Sequence, residues 1–124
     1  QGFFDKFPQV KVVVPHCGSF LPNIMDRLRG IQPILMGSGL LDRPMDVDGC
    51  LSKLYFDLAG NPAPHLLPLL LTMTTPDHVV FGSDYPFTPE PAIRANLDQL
   101  AQLVEQPLLD RMLRDNGAAL LGLD

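Results

Sequence analysis

The chain has 124 residues, 46% of them apolar, and a formal net charge of −5. That is enough hydrocarbon for a packed core and too much for a disordered chain. An acidic balance with no basic block argues against nucleic acid as a partner, and no apolar run reaches the roughly 18 residues that a membrane helix needs. Cys17 and Cys50 lie far apart without a CxxC spacing, which predicts two reduced thiols in a cytoplasmic protein.

Residues 1–8 read as the end of a helix, with Phe3, Phe4 and Phe7 on one face and Pro8 as its stop. The β-branched run 10–14 predicts a strand that exits through Pro15-His16-Cys17-Gly18. A helix is expected over 21–29, opened by Pro22 and striped by Leu21, Ile24, Met25 and Leu28, with Gly30 as its end or a kink. The stretch 37–49, rich in Gly, Pro and Asp, reads as a long loop of the kind that is usually functional or mobile. A second strand is expected over 54–59 and a buried helix over 64–73.

Val79-Val80-Phe81 predicts a third strand, continuous in its hydrophobicity as a parallel strand covered on both faces would be. Gly82 and Ser83 break the run, Asp84 follows, and Pro86 biases Tyr85 away from helix. Thr88-Pro89-Glu90 has the character of a helix start and leads into a helix to Val104. A short helix follows over 107–113, then a last turn over 117–121 capped by Asn116. Strands alternating with helices imply right-handed crossovers and a parallel sheet.

In such a sheet His16, Asp57 and Asp84 all follow C-terminal strand ends and so emerge on one edge, where α/β folds place their chemistry. His16 and Asp84 are chemically suited to a metal site, but catalytic zinc sites use three protein ligands and water, so the pair alone is incomplete. Asp57 reads as readily as a structural acid. Cys17 reads as inert, and His65 and His78 as structural or exposed.

The run from Phe7 to His16, then Gly18, Leu21-Pro22 and Asp26-Arg27-Leu28, resembles the sixth-strand segment of the amidohydrolase-related (amidohydrolase 2) family. That family includes aminocarboxymuconate-semialdehyde decarboxylase. Residues 54–59 resemble its seventh strand, and Gly82-Ser83-Asp84-Tyr85-Pro86 its eighth-strand signature. The ending Asn116…Leu121-Gly122-Leu123 is similar to its C-terminus.

The resemblance implies an α/β section, about strands 6–8 with their helices, of a metal-dependent (β/α)8 TIM barrel. It implies Asp84 as a ligand to a divalent metal, zinc by preference, and His16 as the catalytic histidine beside the metal-bound water. It implies Arg27, the eleventh residue after His16, as a binder of the substrate carboxylate, in some members across a dimer interface. The activity implied is hydrolysis or decarboxylation of a small, carboxylate-bearing molecule by a homo-oligomer. Two departures stand out. His16-Cys17-Gly18 replaces the family's His-Gly-Gly, and the first-strand His-x-His and fifth-strand His have no counterpart. The chain opens on Gln1 with an element already under way, so the missing strands and ligands are expected upstream. The alternative is a non-catalytic α/β module that assembles through its open sheet edges.

Overall fold

The computed structural model describes residues 2–123; Gln1, where the first expected helix would begin, lies outside them. Three short parallel strands, β1 (Val12–Val14), β2 (Leu54–Asp57) and β3 (Val79–Val80), form a sheet in the order β1-β2-β3. The register pairs Val14 with Phe56 and Phe56 with Val79, so these side chains share one face. On that face Phe56 and Val79, both 0% exposed, anchor a core with Met25, Leu67, Leu70, Leu100 and Met112. Each strand is shorter than its apolar run. Phe81 is 42% exposed, so the both-faces-covered reading of the third strand holds for Val79 and Val80 and fails for Phe81; Val13 of β1 is exposed as well.

Before the sheet, α1 (Phe3–Lys6) sets Phe3 edge-to-face with Phe4 and tilted against Phe7, ring centroids 5.3 Å apart in each pair. Helix α2 (Leu21–Gly37) runs straight past the expected stop at Gly30 and through Pro33. The reason is packing. The stripe of Leu21, Met25 and Leu28 continues through the half-buried Ile31 and Leu35, and this outweighs the roughly 1 kcal/mol that a mid-helix glycine costs. The expected loop is correspondingly shorter. Its last three residues belong to α3 (Val47–Leu51), capped by Asp46, which accepts from the Gly49 N–H at 2.9 Å. Arg29 bridges Asp26 at 3.2 Å and Asp48 at 2.7 Å, tying α2 to α3.

The expected buried helix over 64–73 is broken up. A wide turn at Pro62–Leu66 precedes α4 (Leu67–Leu70), because Pro64 and Pro68 lack the N–H that an uninterrupted ladder requires. After β3 come α5 (Glu90–Leu103), α6 (Gln106–Asp110) and, beyond another wide turn, α7 (Asn116–Leu121). Asn116 is not a cap. It begins the helix, and its Nδ2 donates to the carbonyls of Pro76 (2.8 Å) and Val79 (2.7 Å), pinning α7 to the start of β3.

Candidate functional site at the C-terminal edge of the sheet

Because the strands are parallel, the exits of β1 and β3 fall on one edge and flank the exit of β2. His16 lies two residues past β1 and Asp84 four past β3. Both have left-handed backbone, φ 55° and 60°, as do their neighbours Cys17 (52°) and Ser19 (53°). These four are the non-glycine residues with positive φ among those described, and all sit at this edge. L-residues pay for that conformation, and such strain concentrates where side chains are aimed for function.

The local fold explains how the strain is held. Asp57, last in β2, accepts from the His16 N–H at 2.8 Å and from the Ala59 N–H at 3.0 Å, both through Oδ1. Gly60, with φ +77°, turns the chain away beneath His16, and a Cβ there would stand 3.3 Å from His16 Nδ1. The Gly60 carbonyl in turn accepts from Asn96 Nδ2 on α5. On the other side Thr88 holds Asp84 twice: its N–H donates to the Asp84 carbonyl at 2.9 Å and its Oγ1 to Asp84 Oδ2 at 3.1 Å. Thr88 is thus not the helix cap that its position before α5 implies. The Asp84 carboxylate is half-buried, whereas the His16 imidazole is exposed.

Cys17 is 1% exposed, and burial, aided by the Asp57 charge, pushes its thiol from an ordinary 9.0 up to about 12. This agrees with an inert thiol. Since the folded thiol keeps its proton where the unfolded one loses it, stability is full below pH 9 and falls as pH rises from 9 toward 12. Urea denaturation at pH 8 and pH 10 is expected to show a larger loss for the wild type than for Cys17→Ser. Equal losses would mean that Cys17 ionises freely.

Arg27 lies exposed on α2 and has no ion-pair partner among the described residues; no hydrogen bond or ion pair joins it to His16 or Asp84. His65 is exposed. His78 sits at the opposite edge, stacked on Tyr55 (4.8 Å) with Nδ1 2.7 Å from the Leu54 carbonyl oxygen. The larger cavity, about 280 Å³ between Lys11, Lys53, Tyr55 and His78, is also at that far edge. A small open pocket between Gly60, Gly82, Ser83 and Asn96 has only about 10 Å³, room for roughly one water.

No group of three or more His, Cys, Asp or Glu able to hold a metal occurs among the described residues. The residues present therefore do not complete a metal site, although Asp84 offers one carboxylate to such a site. Sequence reasoning reached His16, Asp84 and Asp57. It missed Gly60 and Asn96, whose contacts only the crossovers create, and Thr88, which looks like a helix cap and instead bonds Asp84 four residues back.

A parallel β/α sheet with strained, polar exits along its C-terminal edge is the arrangement in which α/β-barrel folds place their sites. The sequence pattern described as amidohydrolase matches residues 1–123, and the chain belongs to that family. It is 30% identical over 119 residues to the 6-methylsalicylic acid decarboxylase of Penicillium expansum, covering 96% of this chain and 36% of that protein. Among solved structures, the 5-carboxyvanillate decarboxylase LigW of Sphingomonas paucimobilis superposes with a TM-score of 0.83 at 18% identity, over 99% of this chain and 37% of that one. A dihydroxybenzoic acid decarboxylase from Polaromonas, solved with manganese and 2-nitroresorcinol, gives 0.79 at 19% identity, over 98% and 36%. The chain thus spans a little over a third of the length of these relatives, as a section of a TIM barrel.

Proposed function

We propose that this chain carries the proton-handling side of a metal-dependent decarboxylase acting on a hydroxylated aromatic carboxylate. The carrying observation is that His16 and Asp84 leave their strands on one edge, each in a strained left-handed backbone held by its own hydrogen bonds. The kinship with enzymes named as decarboxylases favours carbon–carbon cleavage over hydrolysis. Exposed aromatics stand in the same loops, Phe20 at 80%, Tyr85 at 71% and Phe87 at 88%, which supports a flat apolar substrate.

In this reading His16 delivers a proton to the ring carbon that bears the carboxylate. The electrons of the breaking C–C bond return to the ring, and carbon dioxide leaves. An imidazole suits that transfer better than any other side chain. Asp84 would offer its carboxylate to a divalent metal, whose other ligands the described residues do not supply. Bound there, the metal would act as a Lewis acid and orient the substrate. Manganese in the Polaromonas enzyme makes it as good a candidate as zinc.

Arg27, unpaired on its helix, is assigned to the substrate carboxylate, reached from a neighbouring protomer of a homo-oligomer. Two free cysteines fit a reducing, cytoplasmic setting. The test is metal dependence in the protein encoded by the complete reading frame. Chelation is expected to abolish carbon dioxide release from a hydroxybenzoate and added manganese to restore it. Release that survives full metal removal would overturn the proposal.

A further inference from the structure

We infer that Asp57 is the positioning residue of this edge, setting both the His16 turn and its distance from the Asp84 loop; the inference rests on the function proposed above. Strand alternation puts Asp57 on the face opposite Phe56, with Tyr55. There its carboxylate lies between the exits of β1 and β3. One oxygen, Oδ1, takes the His16 and Ala59 N–H groups at 2.8 and 3.0 Å. The rest of the side chain presses on the β3 exit. A Cβ on Gly82 would lie 2.8 Å from Asp57 Cβ and Cγ and 2.9 Å from Oδ2.

Only a glycine at position 82 lets the carboxylate sit there. A single side chain thus reaches the turn bearing the general acid and the backbone two residues before the metal-binding carboxylate. His16 has a φ of 55°, which costs free energy, and the bond from its N–H to a carboxylate offsets that cost locally. The imidazole itself is exposed and backed by Gly60, so its aim depends on this main-chain anchor.

The geometry separates two variants. Asp57→Asn keeps an oxygen that can accept both N–H groups and keeps the shape that fits Gly82. Asp57→Ala removes the acceptor. In the complete protein Asp57→Ala is expected to lower kcat about 10- to 100-fold, the scale of a small misplacement of a reacting group, with KM within about 3-fold. Asp57→Asn should restore kcat to within about 3-fold of wild type. A role in stability alone would instead lower the folded fraction and leave kcat per folded molecule unchanged, and that result overturns the inference.

Gly82→Ala provides a second probe, because its methyl would meet both the Cβ and the carboxylate of Asp57. It should lower kcat as Asp57→Ala does, and a folded Gly82→Ala with wild-type kcat would overturn the inference too. If Asp57→Ala fails to fold, Gly82→Ala decides alone. If the wild type releases no carbon dioxide, the functional proposal fails, and amide exchange of His16 decides this one. Fast exchange in Asp57→Ala with protection in Asp57→Asn supports the anchor; equal protection in both refutes it.

Discussion

Replacing His16 by Asn is expected to leave the fold intact and to lower decarboxylation by about 10²- to 10⁴-fold, the usual contribution of a positioned general acid or base. The fold should survive for two reasons. The hydrogen bond that holds this turn uses the His16 main-chain N–H, which Asn retains, and Asn is among the side chains that best tolerate left-handed backbone. The imidazole is exposed, so no packing is lost. Activity should therefore fall while the urea midpoint moves little. A variant that stays active would remove His16 from the chemistry. One that unfolds would show that its ring has a packing role that its exposure does not reveal.

The second large effect concerns stability. Phe56, at 0% exposure, fills the centre of the core beneath Gly18, where a Cβ would already lie 3.3 Å from its ring. Phe56→Ala is expected to cost about 3–5 kcal/mol, since the surrounding Leu, Met and Val side chains cannot collapse into the space of a ring. Domains are stable by only about 5–15 kcal/mol, so a sheet of three short strands should lose much of its margin. Because Gly18 closes the turn after His16 and Cys17, the same substitution should loosen the site, seen as faster alkylation of Cys17 by iodoacetamide. Unchanged alkylation with a large stability loss would mean that the core and the turn are independent.

The three strands, their order of appearance and the polar exits were legible because each strand is a short run of Val, Leu or Phe closed by Gly or Pro. Parallel pairing then places every exit on one edge without further information. Helix ends were less legible. Gly30 looks like a stop, yet α2 continues past it with Ile31 and Leu35 half-buried, and that burial outweighs propensity. The chain around Pro62, Pro64 and Pro68 errs the other way: its apolar composition suggests one helix, and its missing donors prevent it.

The individual acids and the imidazole could be named from the sequence; their supports could not. Thr88 looks like a cap and instead holds Asp84, Asn116 looks like a cap and instead pins β3, and Asp57 looks like one more strand-end acid. Each of these contacts joins residues that local pattern cannot relate, or diverts a polar group from its usual local partner. The resemblance to the amidohydrolase-related family supplied what pattern could not, the roles expected of His16 and Asp84, and the chain does belong to that family.

The most direct measurement is carbon dioxide release from a hydroxybenzoate, with manganese, by the protein of the complete reading frame and by its His16→Asn and Asp84→Asn variants. Release by the wild type, with loss in both variants while they remain folded, is the predicted result. Release that persists in either folded variant would contradict a shared site at this edge of the sheet.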